Sequence, residues 1–113
     1  MKNDFRINKV LVQPSINKVV HRGKIVRLEP KPMRVLVALA RRRGEAVSRE
    51  ELLREVWEKE YASPAVITRC IFLLRKAFKD SDRDNRIIET ISKTGYRLAV
   101  PVHTIKRTAR IRS

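Results

Sequence analysis

The apolar positions of this chain change their spacing along its length, and each change marks an element. From Phe5 to Pro30 they come as short β-branched runs, Val10–Val12, Val19–Val20 and Ile25–Leu28, separated by turn formers. That is the pattern of short strands. Gln13-Pro14-Ser15 punctuates the first break. His21-Arg22-Gly23-Lys24 has the composition of a hairpin turn in which Gly23 takes a positive φ, with His21 in solvent. The alternation is weak in Ile25–Leu28, with Val26 and Leu28 on one side and Ile25 and Arg27 on the other. A small antiparallel sheet of three or four short strands is expected.

The period then lengthens. Glu29-Pro30-Lys31-Pro32 ends the sheet, and proline suits a first helical turn, where its missing N–H is not needed. A helix is predicted over 32–43, with Met33, Leu36, Leu39 and Ala40 inward and Val35 and Val37 partly covered by the sheet. Arg41-Arg42-Arg43 closes it and Gly44 is placed as the residue just past its end. The three arginines suit the negative end of the helix dipole, and suit phosphate contact equally well. After the extended link Glu45-Ala46-Val47, Ser48-Arg49-Glu50-Glu51 has the spacing of a capping box. The box opens a helix to about Glu58 that buries Leu52, Leu53, Val56 and Trp57.

A short polar connection, Glu58 to Ala62, leads to the stretch 63–79. Ser63 reads as a helix N-cap with Pro64 at the first position. Ile67, Ile71, Leu74 and Phe78 recur at helical spacing as a buried stripe. The other stripe carries Thr68, Arg69, Leu73 and Lys76, with Cys70 at its edge, and no residue of the helix is acidic. Two helices joined by a short turn, the second basic, make a helix-turn-helix, and such a helix can enter a major groove. A polar loop follows from Asp80 to Asn85. Ile87–Ile91 and Tyr96–Val100 then read as a hairpin over 87–100, with Ser92-Lys93-Thr94-Gly95 as the turn, Gly95 at a positive φ and Lys93 at the tip. The expected fold class is α+β: a winged helix-turn-helix with an N-terminal antiparallel sheet, a three-helix core and a C-terminal β-hairpin wing.

Composition narrows the partner. The 113 residues suit one domain, expected over 1–102, followed by a basic, flexible tail over 103–113. The net charge is +15, which repels itself in the compact state and points to a polyanion: DNA, RNA or an anionic membrane. The longest apolar run, Val35–Ala40, is far too short to span a bilayer, and the first residues lack the apolar centre of a signal peptide. The single cysteine, Cys70, cannot form an internal disulfide, which suits a reducing cytoplasm. Its spacing reads as that of a small buried or half-buried hydrophobe. The two histidines, His21 and His103, are far apart, and no phosphate loop, metal-ligand spacing or nucleophile motif is present. Catalysis, a metal, a cofactor and a small-molecule substrate are therefore not expected. Only 5% of residues are aromatic, which weighs against stacking on single-stranded RNA. A basic RNA- or ribosome-associated protein, and an interaction module with weakened DNA binding, stay as alternatives.

Five segments together resemble the winged-helix effector domain of OmpR/PhoB-type transcription regulators. They are Leu-Glu-Pro-Lys at 28–31, Gly-Glu-Ala-Val-Ser-Arg-Glu-Glu-Leu at 44–52, Val-Trp at 56–57, Leu-Arg-Lys-Ala at 74–77 and Thr-Gly-Tyr-Arg at 94–97. Leu11–Asn17 and Gly95–Val102 look most like the CadC/ToxR-like branch. The resemblance covers about residues 5–102. It implies sequence-specific binding of double-stranded DNA by a cytoplasmic or membrane-anchored bacterial regulator, with copies on tandem sites as homodimers.

By the same resemblance, the groove-reading positions are Ala65, Val66, Arg69, Cys70, Leu73, Arg75 and Lys76, with Thr68 on the same face. The wing positions are Ser92, Lys93 and Thr94 at the tip, and Tyr96, whose hydroxyl reaches a phosphate. The connection at 58–62 matches a loop that touches RNA polymerase in some members. Cys70, Phe72 and Leu73 are apolar where many relatives carry polar or basic residues. Hydrogen-bonded base readout then rests mainly on Arg69, Leu73 suits a thymine methyl, and Phe72 and Leu73 also suit a protein partner or a second copy. Members of this branch continue into a membrane span, so the chain is a piece of a longer regulator or a free-standing one. The basic tail fits either the cytoplasmic side of a span or an arm on DNA.

Overall fold

A computed structural model describes residues 3–58, 61–79 and 86–105. The N-terminal region forms four antiparallel strands: β1 (Phe5–Ile7), β2 (Val10–Gln13), β3 (Lys18–His21) and β4 (Lys24–Arg27). Strand alternation explains the core face. Phe5, Ile7, Val10, Val12 and Val19 are buried, while Arg6 between the first two is exposed. The register aligns them, with Phe5 opposite Val12, Val12 opposite Val19 and Val19 opposite Val26. Gly23 takes a positive φ in the two-residue turn between β3 and β4, as expected, and Arg22 takes one as well, which the sequence did not signal. His21 does not lie in the turn. It is the last residue of β3, half-buried opposite Lys24, and partial burial, then Arg22, then Lys79, holds its imidazole below the usual range.

Helix α1 (Pro30–Arg41) begins and ends two residues before the predicted bounds. Pro30 takes the first position, and Pro32 fits within the same first turn, where amides have no intrahelical acceptor. Met33, Leu36, Leu39 and Ala40 are buried as expected, and Val35 is buried completely. Beyond the helix the left-handed conformation is taken first by Arg43 (φ 45°) and again by Gly44 (φ 94°). Two of the three arginines at its end have structural partners. Arg42 bridges Glu51 at 3.1 Å and Glu55 at 3.6 Å, and Arg43 donates to the Val102 carbonyl at 3.4 Å.

The link after α1 is a short strand, β5 (Val47–Ser48), leading into α2 (Arg49–Trp57). The capping box forms. The Ser48 hydroxyl accepts from the Glu51 amide at 3.0 Å, and the Glu51 carboxylate accepts from the Ser48 amide at 3.1 Å. These bonds, and the Arg42 guanidinium, hold the Glu51 carboxyl below the usual range. Helix α3 (Ala65–Phe78) follows. Its first turn is closed by backbone groups, with the Ser63 carbonyl accepting from Val66 at 3.1 Å and the Pro64 carbonyl from Ile67 at 3.1 Å. Pro64, rather than Ser63, occupies the cap position.

The hairpin β6 (Ile88–Ile91) and β7 (Gly95–Leu98) pairs with β5 in a three-stranded sheet of order β5-β7-β6. Gly95 is not at a positive φ; Lys93 is, at 63°. Glycine is needed at 95 because β5 crosses so closely. A Cβ there would overlap the Val47 carbonyl and approach the Ser48 Cα to 2.9 Å. After Pro101 the chain adds a fifth strand to the first sheet, β8 (Val102–Thr104), paired with β1. His103 and Thr104, expected in a tail, are therefore part of the fold. The polar loop at 80–85 and the basic residues after Ile105 lie outside the described residues. Among those described, no helix is long and apolar enough to cross a membrane.

Candidate nucleic-acid interface

Helix α3 is fixed along one side. Ile67, Ile71, Leu74 and Phe78 are buried, and Cys70 and Ala77 join them. Fully burying a large apolar side chain contributes roughly 1.5–3 kcal/mol, so this stripe decides which side faces out. Ala65, Thr68, Arg69, Phe72 and Lys76 are exposed, and Val66 and Leu73 lie half-buried beside them. Positions 65, 69, 72 and 76 fall on one line along the helix. Phe72, 63% exposed, therefore stands in the middle of the outer face, between Arg69 and Lys76. The i, i+4, i+7, i+11 spacing from Ala65 was enough to place it there.

Three of the residues implied by the resemblance sit differently from the expectation. Cys70 is only 2% exposed, so its thiol does not reach a groove. Burial pushes that thiol up to about 11, leaving it neutral and unreactive at neutral pH. Arg75 is half-buried and donates to the Ile88 carbonyl at 2.9 Å and the Thr90 hydroxyl at 2.8 Å. It clamps α3 to the wing strand β6. Tyr96 is 3% exposed, and its hydroxyl accepts from Arg49 at 3.4 Å while the guanidinium lies 5.2 Å from the ring centre. Arg49, half-buried at the start of α2, is thus the cation that Tyr96 orients. The sequence signal was present only as an arginine directly after the capping serine.

At the wing tip Ser92, Lys93 and Thr94 are all exposed. Arg97 ties the wing to the body, donating to the Gly44 carbonyl at 2.9 Å and pairing with Glu89. The arrangement is a basic helix seated on its apolar stripe, with a hairpin clamped alongside by Arg75. It offers hydrogen-bond donors and apolar groups on an exposed helix face, of the kind that can enter a major groove. Among the described residues, no group of three or more His, Cys, Asp or Glu could hold a metal ion.

The family described as transcriptional regulatory protein, C terminal, matches residues 5–98. The chain belongs to that family, the winged-helix DNA-binding domains of bacterial transcription regulators, which are not enzymes. It is 42% identical over 98 residues to the transcriptional activator CadC of Escherichia coli K12, covering 86% of this chain and 19% of CadC. It is 34% identical over 85 residues to the cholera toxin transcriptional activator of Vibrio cholerae, covering 74% of this chain and 29% of that protein. The solved DNA-binding domain of E. coli CadC superposes with a TM-score of 0.83 at 39% identity, covering 91% of this chain and 97% of that one. The chain thus spans less than a third of the length of these two curated relatives.

Proposed function

We propose that this domain binds duplex DNA sequence-specifically, with α3 in the major groove and the β6–β7 wing over the adjacent minor groove. The observation that carries the reading is the outer face of α3, where Thr68, Arg69, Phe72 and Lys76 are exposed on a helix locked from behind. Arg69 reads a base edge, the guanidinium being matched to guanine O6 and N7. Phe72 and Leu73 meet thymine methyls. Lys76, Lys93 and Arg49 contact phosphates, and Ala65 and Val66 allow close approach of the helix start. Ser92 and Thr94 flank Lys93 at the minor groove. Tyr96 acts by holding Arg49.

The finer partners are also proposals. Two copies sit on tandem half-sites, and the connection at 58–62 faces RNA polymerase with Tyr61, 98% exposed, as its apolar contact. Lys59 and Glu60 of that connection lie outside the described residues. A DNA-binding role places the domain in the cytoplasm.

Selection of bound duplexes from a random pool tests the reading and supplies the site. The selected duplex should bind with a log–log salt slope of about −0.9 per phosphate neutralised. Arg69→Ala with Lys76→Ala should abolish the preference for it. Unchanged binding at moderate salt, or preference for RNA in competition, would refute the proposal. The exposed Phe72 favours a second reading, a protein-docking face. That reading predicts duplex binding insensitive to the same double substitution.

A further inference from the structure

The outer face of α3 contains one exposed guanidinium among the described residues, and it is not alone. Arg69 Nη2 lies 3.4 Å from Glu29 Oε2, both side chains about 60% exposed, so α1 contributes a carboxylate to the edge of the reading face. Glu29 is the cap residue of α1, yet its side chain makes no capping hydrogen bond. Pro32 removes the amide at the third helical position, one of the two that a cap acceptor reaches. The carboxylate is free to turn toward α3.

We infer that Glu29 is a positioning residue that fixes the Arg69 guanidinium for guanine readout; this rests on the reading of α3 as the groove-entering helix. Arginine has five N–H donors in a planar fork. Glu29 takes one corner through Nη2, and enough donors remain for a bidentate contact to guanine O6 and N7. A side chain held at one corner loses fewer rotamers on binding than a free one. The carboxylate also acts on the competing complexes. Non-specific binding is essentially electrostatic, and a negative charge beside the only exposed arginine of this face opposes contact with a phosphate. An exposed ion pair contributes little to stability, so the effect of Glu29 falls on discrimination, not on folding. Arg75 cannot substitute for Arg69, because it is committed to Ile88 and Thr90.

The test uses the full chain and the duplex selected from a random pool. Arg69→Ala identifies the base position that Arg69 reads. Glu29→Gln should reduce the guanine preference at that same position by about 3- to 10-fold while raising affinity for random-sequence duplex. Glu29→Asp keeps the charge but withdraws the carboxylate by one methylene. It should lose the preference without gaining random-duplex affinity. Thermal melting of both variants should match the unsubstituted chain. The inference is overturned if Glu29→Gln keeps the guanine preference, if it tightens all duplexes by one factor, or if Glu29→Asp matches the unsubstituted chain in preference. A pool that yields no enriched sequence overturns the DNA reading itself, whereas an enriched sequence blind to Glu29 overturns this inference alone.

Discussion

Replacing Gly95 with alanine puts a methyl group where β5 crosses β7. That methyl would overlap the Val47 carbonyl and stand 2.9 Å from the Ser48 Cα. Ordinary carbon–carbon contacts are at about 3.5–4.0 Å, so the strands must separate by on the order of 1 Å. The clashing atoms are backbone, and no rotamer change relieves them. Separation breaks the pairing of Val47 with Tyr96 and Ser48 with Gly95. Each lost backbone bond costs about 0.5–1.5 kcal/mol and overpacking typically about 1–3 kcal/mol. A total loss of roughly 3–5 kcal/mol is expected, against the usual 5–15 kcal/mol of a domain. Urea denaturation measures it as a lower midpoint at unchanged slope. Gly23→Ala is the control. Nothing lies within 4 Å of a Cβ at Gly23, where φ is +76°, so only the left-handed penalty of about 1–2 kcal/mol applies. If Gly95→Ala costs no more than Gly23→Ala, the close crossing is not what requires glycine. Because β5 runs straight into the Ser48 cap and Tyr96 holds Arg49, Gly95→Ala should also weaken duplex binding in the cold, where the domain is still folded.

Ser48→Ala removes the capping box and should cost about 1 kcal/mol by urea denaturation at neutral pH. The Glu51 carboxyl is held low in the fold, so its stabilisation is present above the ordinary value of 4.5 and is lost as pH falls below it; the Ser48→Ala penalty should shrink on acidification. The Cys70 thiol, raised from 9.0 to about 11, keeps its proton longer in the fold than in the unfolded chain. Stability should therefore fall as pH rises from 9 to 11, and a thiol reagent should label the folded domain only at the rate of its opening. Arg75→Met should loosen the wing, raising amide exchange at Ile88–Ile91 while leaving the α1–α2 core protected; unchanged exchange would remove its role as a clamp.

The local pattern was sufficient for most of the architecture. β-Branched runs and turn formers gave β2 to β4 but did not single out β1 at Phe5–Ile7, the 3.6-residue period gave the three helices, and Ser48 with Glu51 marked the start of α2 to the residue. These are interactions between near neighbours, or between a side chain and its own backbone, so the chain determines them locally. The start of α1 shifted because two prolines both tolerate a first turn and the pattern does not say which begins it.

What the sequence could not decide depended on residues brought together from far apart. Gly95 looks like a turn glycine, but its need is for space against Val47, which is 48 positions away. Strand β8 carries no pattern of its own; it exists because β1 offers an open edge with unpaired backbone groups. Arg69, Arg75 and Arg49 are alike in sequence as cations near a basic helix. Tertiary packing separates them into an exposed reader beside Glu29, a clamp on β6 and a cation oriented by Tyr96. Charge and period place a basic helix in this protein. Which of its cations remain available to DNA is decided by the partners that the fold puts within hydrogen-bond reach.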